Sequence, residues 1–205
     1  MEVKCYQVGA IGTNCYFVGD EATKRGCIVD PGDEGERLIQ LWKDFGYELE
    51  AILVTHGHYD HTTALGTVAQ AFPGVPIMIH KEDVCMGGNP AFYQCMYVDG
   101  MKYIKDGDTV MVGSIAFVVY ETPGHTPGSV VFKSQDAMFT GDTLFAGSCG
   151  RVDFPGGDWG TMCVSLRRLA NLPGDCKIYP GHEFTSTLDT ERRTNPFIRS
   201  AMQLG

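Results

Sequence analysis

The chain has 205 residues, of which 43% are hydrophobic and 20% charged, and this predicts a single globular domain spanning residues 1–205. Its formal net charge of −9 disfavours nucleic-acid partners, which require a basic face, and no apolar run approaches the roughly 20 residues of a membrane span. Because the N-terminus lacks the basic start and apolar core of a signal peptide, we expect a cytoplasmic protein with no membrane partner, and its eight cysteines as reduced thiols.

The predicted strands are short runs rich in Val, Ile, Phe and Tyr, bounded by Gly, Asp or Pro. In chain order they are Val3–Val8, Cys15–Val18, Gly26–Val29, Ala51–Val54, Ile77–Ile79, Thr109–Val112, Ile115–Glu121, Ser129–Lys133, Ala137–Phe139 and Lys177–Tyr179. The predicted helices are Gly35–Phe45, Thr62–Phe72, Trp159–Asn171 and Asn195–Met202. The first helix carries an apolar stripe at helical spacing, and Asp158 is placed to cap the third.

The segment THGHYDH places three histidines and an aspartate directly after a predicted strand. His56 and His58 point to the same side if the chain stays extended, whereas a helix would separate them by about 200°. Asp60 and His61 follow where the chain turns into a helix, so they can face a second position beside the first. Imidazole and carboxylate groups together suit zinc, iron or manganese.

Three further candidate ligands each follow an apolar run in the same way. His125 lies in ETPGHTPGS, Asp142 in MFTGDTLF and His182 in IYPGHEF. If the strands end at one edge of a sheet, these side chains meet the THGHYDH segment there. The sequence therefore predicts a metal centre, whereas His80, in IMIHKED, is predicted to be structural.

The motifs THGHYDH, PGHTPGS, TGDTLF and YPGH, in this order, resemble the metallo-β-lactamase superfamily over nearly the whole chain. Within it, GDTLFAGSCGRVDFPGG and RRTNPFIR are similar to the small single-domain glyoxalase II group, the hydroxyacylglutathione hydrolases. The resemblance implies an α/β (α+β) fold of the αββα type, with two mixed sheets face to face and helices outside.

The resemblance also implies a role for each candidate residue. The first metal would be bound by His56, His58 and His125, the second by Asp60, His61 and His182, and Asp142 would bridge them. The metals would be two divalent ions, with zinc expected and iron or manganese possible. Asp60 and Asp142, with a bridging hydroxide that attacks a small-molecule thioester, would form the catalytic set. Arg151 would bind the glutathione part of the substrate. Asp30, in IVDPGD, would orient a ligand histidine or form a turn.

Three alternatives stay open on the sequence alone. A persulfide dioxygenase on the same fold would use one iron held by two histidines and one aspartate. A lactonase would use the same centre for another substrate. A metal-binding module without catalysis would need the ligands alone.

Overall fold

The structure is a computed structural model that describes residues 1–204. Its strands are β1 (Glu2–Val8), β2 (Thr13–Asp20), β3 (Arg25–Val29), β4 (Glu48–Leu53), β5 (Ile77–His80), β6 (Val84–Cys85), β7 (Cys95–Met96), β8 (Met101–Ile104), β9 (Thr109–Val112), β10 (Ile115–Glu121), β11 (Val130–Lys133), β12 (Ala137–Gly141), β13 (Lys177–Pro180) and β14 (Ser186–Thr187). Its helices are α1 (Gly35–Phe45), α2 (Tyr59–Thr62), α3 (Leu65–Ala71), α4 (Trp159–Ala170), α5 (Leu188–Thr194) and α6 (Pro196–Gln203), with a 3-10 helix over Lys81–Asp83.

Twelve of these strands form two six-stranded mixed sheets, and β6 and β7 pair as a separate two-stranded sheet. The first has the order β1-β2-β3-β4-β5-β8 and the second the order β14-β13-β12-β11-β10-β9. In the first sheet β1, β2 and β3 pair antiparallel, while β3, β4, β5 and β8 pair parallel. In the second sheet β12 and β13 are parallel neighbours, and the other pairs are antiparallel.

The alternation of side chains along the strands of the first sheet divides its apolar residues between two layers. On β2, Phe17 packs with α1, where its ring centroid lies 5.0 Å from that of Trp42, whereas Val18 packs against the second sheet. On β4, Ile52 and Leu53 divide between the same two layers. Each fully buried side chain of this kind contributes roughly 1.5–3 kcal/mol, so the pattern fixes which face α1 covers.

The apolar side chains of the second sheet are also divided between two layers. Phe139 of β12 faces the first sheet, while Met138 packs against Met162 of α4 and Ile198 of α6. The result is a four-layer αββα sandwich, which confirms the predicted α/β fold class. Within residues 1–204 the longest helix, α4, has 12 residues, and none has the length and apolar character that a membrane crossing needs.

All ten predicted strands are present, with ends that differ by a few residues. Asp158 caps α4 as predicted, because its carboxylate accepts a hydrogen bond from the backbone N–H of Thr161. The prediction omitted β6, β7, β8, β14 and α5, which are short or lie at sheet edges. The eight cysteines are free thiols in the structure.

The predicted helix over Thr62–Phe72 is confirmed as α3 from Leu65 to Ala71, but its start is wrong, because Thr62 ends a separate short helix, α2. The backbone N–H of Ala64 donates to the carbonyl of Pro31 instead of continuing the helical ladder. Gly32 also packs so tightly on this turn that a Cβ at its position would lie 1.7 Å from the carbonyl oxygen of Asp60. The loop after β3 therefore ends α2 after one turn and fixes the direction of that turn.

Candidate metal centre

The candidate ligands lie just beyond the C-terminal ends of four strands. His56 and His58 follow β4, and His125, Asp142 and His182 follow β10, β12 and β13. The strands β10, β12 and β13 point in one direction, because β11 runs antiparallel between the first two and β13 is parallel to β12. Strand direction in the second sheet therefore brings three ligands to one edge, opposite the end of β4.

The first cluster consists of three buried imidazoles. The Nδ1 atom of His58 lies 3.1 Å from Nε2 of His56 and 2.8 Å from Nε2 of His125. The predicted extended geometry through His58 is confirmed, since its φ of −59° and ψ of 147° keep it outside the helix that begins at Tyr59. Ligands held tetrahedrally at about 2.0–2.1 Å from zinc lie roughly 3.3 Å apart, so these two distances are slightly shorter than that spacing.

The second cluster consists of Asp60, His61 and His182, whose candidate ligand atoms all lie within 4.8 Å of one another. Oδ2 of Asp60 lies 3.2 Å from Nε2 of His182 and 3.4 Å from Nε2 of His61. Asp142 stands between the clusters, because its Oδ2 lies 3.5 Å from Nε2 of both His125 and His182. The structure thus brings all seven predicted side chains together.

Asp30 is linked to one histidine of each cluster, directly to His61 and through Thr55 to His56. Its carboxylate accepts hydrogen bonds from the backbone N–H of Thr55 at 2.7 Å, from the Thr55 hydroxyl at 2.7 Å and from Nδ1 of His61 at 2.9 Å. The Thr55 hydroxyl also lies 3.1 Å from Nδ1 of His56. With these Nδ1 atoms engaged, the Nε2 atoms of His56 and His61 are directed into the centre. Asp30 has a left-handed backbone with φ of 51°, and it is buried, so the structure places it where the sequence predicted an anchor.

Two residues that the sequence analysis missed hold the second cluster from β2. The hydroxyl of Thr13 donates to Oδ2 of Asp60 at 2.8 Å. The side-chain amide of Asn14 donates to the carbonyls of Pro180 and Glu183, at 3.0 Å each, on either side of His182. Both polar side chains are buried at the start of β2, directly before the apolar run CYFV, and that position was the one signal in the sequence.

The two clusters differ in their electrostatics. Burial lowers the pKa of His56, His58 and His125, and neighbouring imidazoles lower it further at His56 and His58, so that His58 falls to about 4. Burial also acts on His61 and His182, but the adjacent carboxylates outweigh it and raise the pKa of both. The first cluster therefore offers neutral imidazoles, the form that binds metals, whereas the second is a set of charge pairs.

The two aspartates of the centre stay ionised. Burial opposes the charged form of Asp60 and Asp142, but the histidines around them hold the pKa of both carboxyls below the usual range. Two carboxylates are donors that a pair of divalent ions requires, and the imidazoles of the second cluster would release their protons as a metal binds.

Unpartnered polar atoms provide the test of whether a metal fits here. Among residues 1–204, Nε2 of His58, Nε2 of His61 and Oδ1 of Asp142 are buried without a hydrogen-bond partner. Nε2 of His61 and Oδ1 of Asp142 lie 3.4 Å apart but lack hydrogen-bond geometry. Burying such groups unpaired is costly, and a cation in the centre offsets that cost for Nε2 of His61 and Oδ1 of Asp142. Nε2 of His58 gives no such indication, because Nδ1 is the atom of that ring that faces the first cluster. The residues present therefore fit divalent metals.

Replacement of Asp30 by asparagine is expected to weaken zinc binding at the second cluster about 10- to 100-fold. Asparagine tolerates the left-handed backbone, so the change is mainly one of charge and hydrogen bonding. Its amide N–H₂ would face the donors of Thr55 and His61, and the imidazole of His61 would turn away. Isothermal titration of the metal-free protein with zinc measures the effect. Asp33→Asn in the same loop is the control, and unchanged affinity in D30N would contradict the anchoring role.

A cavity of about 670 Å³ opens over the two clusters. One wall is aromatic, because the rings of Phe92 and Phe154 lie 4.8 Å apart and the Phe92 ring lies 5.3 Å from that of His58. Ile11 and Phe145 add apolar surface around the remaining opening. The cavity therefore combines a polar floor with apolar walls, the usual character of a small-molecule site.

Arg151 lies at the edge of this cavity, as its predicted role requires. Its guanidinium stacks 3.7 Å above the ring of Phe154 and donates two hydrogen bonds of 2.7 Å to the carboxylate of Asp153. The backbone carbonyl of Arg151 accepts a 2.7 Å hydrogen bond from Nδ1 of His125, which directs Nε2 of that histidine into the first cluster. Arg151 thus contributes to the site through its backbone as well as its side chain.

An αββα sandwich with histidines and aspartates at the strand ends defines a class of metal-dependent enzymes. The chain belongs to the metallo-beta-lactamase superfamily, whose family model matches residues 8–182. That superfamily consists mostly of metal-dependent hydrolases and related enzymes.

Two curated relatives bear different activities in their names. Hydroxyacylglutathione hydrolase GloC of Haemophilus influenzae is 34% identical over 212 residues, covering 98% of this chain and 99% of its own length. The mitochondrial persulfide dioxygenase ETHE1 of Homo sapiens is 35% identical over 192 residues, covering 90% of this chain and 70% of its own. Among solved structures, TTHA1623 in a di-iron-bound form is 32% identical with a TM-score of 0.79, covering 95% of this chain and all of that one. GloC and ETHE1 thus have nearly the same identity to the chain, although the match covers 99% of GloC and 70% of ETHE1.

Proposed function

We propose that the chain is a binuclear metallohydrolase that cleaves thioesters of the hydroxyacylglutathione type. The observation that carries the proposal is the position of Asp142, whose Oδ2 lies 3.5 Å from a histidine of each cluster. One carboxylate can therefore serve two metals. A second cluster that is complete and oriented by Thr13 and Asp30 is what a two-metal hydrolase needs.

Two divalent metals in these clusters would supply a coordinated water that ionises near pH 7 and a Lewis acid for a carbonyl oxygen. The chain holds the clusters side by side and fixes the ligand orientations through Asp30, Thr13 and the carbonyl of Arg151. Phe92 and Phe154 offer apolar contact for an acyl group beside the first cluster. The guanidinium of Arg151 offers a contact for a carboxylate on the thiol half of the substrate.

A persulfide dioxygenase is the second candidate, because ETHE1 is 35% identical to the chain and GloC is 34% identical. That activity would need one iron and would leave the Asp60, His61 and His182 cluster without a catalytic role. The intact second cluster therefore favours the hydrolase. Zinc, iron and manganese all suit the donor set, so the metal itself does not separate the two activities.

Metal analysis of the purified protein, followed by a substrate panel, tests the proposal. The panel contains S-lactoylglutathione, an N-acetylcysteamine thioester, a lactone and glutathione persulfide. We expect two metals per chain, thiol release from the thioesters and no oxygen uptake. One iron per chain with oxygen uptake on the persulfide would identify the dioxygenase. Hydrolysis of the lactone alone would identify a lactonase.

A further inference from the structure

Asp83 is a buried carboxylate that the candidate metal centre does not include. It ends the 3-10 helix after β5, and its side chain has no solvent exposure. It accepts hydrogen bonds from the backbone N–H of Gly57 at 2.8 Å, the hydroxyl of Thr126 at 2.7 Å and the backbone N–H of Gly128 at 2.8 Å. Three donors thus converge on one side chain.

These donors belong to the two loops that carry the first cluster. Gly57 lies between His56 and His58 at the end of the first sheet, and Thr126 follows His125 at the end of the second. The backbone N–H of Val130 also donates to the carbonyl of Thr55 at 2.8 Å. This hydrogen bond joins the same two loops at the residue before His56. Asp83 is therefore the contact that joins the loops at the level of the histidines.

Close packing at Asp83 explains two glycines of the ligand motifs. A Cβ at Gly57 would lie 2.5 Å from the carbonyl oxygen of Asp83 and 3.0 Å from its Cβ. A Cβ at Gly128 would lie 2.5 Å from Oδ1 of the same residue. The glycines of the segments HGH (56–58) and HTPG (125–128) let both loops approach one carboxylate, so the spacing of His58 and His125 depends on it.

The second cluster is held by other residues. Asp60 is oriented by Thr13, His61 by Asp30, and the loop around His182 by Asn14. None of these contacts passes through Asp83. A change at Asp83 should therefore act on one cluster and spare the other.

We propose that Asp83 is a positioning residue that sets the distance between the two histidine loops and thereby the metal affinity of the His56, His58 and His125 cluster. The inference rests on the proposed function only in requiring that the clusters bind metal, and it holds whichever substrate the enzyme uses.

Asp83→Asn, titrated with zinc and followed by the ¹⁵N shifts of the six histidines, tests this inference. The amide accepts on one side only, so its N–H₂ group would oppose either Gly128 or the Gly57 and Thr126 pair. We expect the first cluster to need about 10- to 100-fold more zinc, while His61 and His182 respond as in the unsubstituted protein. The titration is run at pH 8, because burial raises the pKa of Asp83 to about 6.

Asp20, the last residue of β2, provides a matched control for Asp83. It is also buried, and it accepts hydrogen bonds from Thr23 and Ser114, joining the turns of the two sheets. Asp20→Asn should lower the melting temperature and leave both zinc responses unchanged. Thr126→Val, which removes one donor to Asp83, should weaken the first cluster by a smaller factor and serves if D83N does not fold. Equal losses in both clusters, or an unchanged first cluster in both variants, would overturn the inference.

Discussion

Asparagine in place of Asp142 is expected to lower kcat/KM for a thioester by about 10³-fold or more. Oδ2 of this carboxylate faces a histidine of each cluster at 3.5 Å, and an amide would present either a weaker donor oxygen or an N–H₂ group to them. The change also removes one of the two negative charges that a pair of cations requires. We therefore expect metal content to fall together with turnover.

Steady-state kinetics and metal analysis on the same preparations measure this effect. Asp136→Asn is the control, because Asp136 is exposed at the opposite end of β12. It should leave metal content and kinetics unchanged. If D142N kept two metals and full turnover, Asp142 would not be a shared ligand, and the binuclear proposal would lose its main support.

The local sequence predicted the ligand set well because strand geometry acts over a few residues. The spacing of His56 and His58 required an extended chain, and the structure keeps that chain extended through His58. The position of His125, Asp142 and His182 after apolar runs indicated strand ends, and the directions of β10, β12 and β13 bring those ends to one edge. Patterns that extend over only a few neighbouring residues can be recognised in a single sequence.

The parts that the sequence did not predict depend on contacts between distant segments. The break between α2 and α3 arises from two residues about thirty positions earlier in the chain. The carbonyl of Pro31 accepts from the backbone N–H of Ala64, and Gly32 packs on the carbonyl of Asp60. Thr13 and Asn14 have no local pattern that shows they face Asp60 and the His182 loop. Tertiary contacts override helix periodicity in such places.

The motif RRTNPFIR illustrates the same limit. The resemblance singled out the segment, but its arginines and asparagine gave no local indication of what they contact. In the structure Asn195 donates to the carbonyls of Phe145 and Ser148, which line the cavity over the metal centre, and it caps α6. Arg192 instead donates to the backbone carbonyls of Ala170, at the end of α4, and of Gly174, in the loop that follows. The motif therefore shapes a wall of the cavity through a loop that lies about fifty residues away in sequence.

Alanine at His58 is expected to lower bound metal and turnover together, with kcat reduced roughly 10²-fold or more. Nδ1 of His58 is the central donor of the first cluster, since it lies within 3.1 Å of the nitrogens of both His56 and His125. Its loss leaves two imidazoles, which do not complete a three-ligand site. His61 of the second cluster contacts His58 through a hydrogen bond of 3.0 Å from its backbone N–H to the His58 carbonyl. Alanine keeps that carbonyl, so we expect the second cluster to retain its metal.

His80→Ala is the matched control for this prediction, because His80 is also a buried histidine but lies outside both clusters. It contacts Glu121 and caps the 3-10 helix, as a structural role predicts. For H80A we expect a modest loss of melting temperature with full metal content. For H58A we expect a loss of metal content with little change in melting temperature. Metal analysis and single-turnover kinetics on the two variants separate these outcomes. Full metal content and full turnover in H58A would remove His58 from the ligand set, and the first cluster would then be too small to bind a catalytic metal.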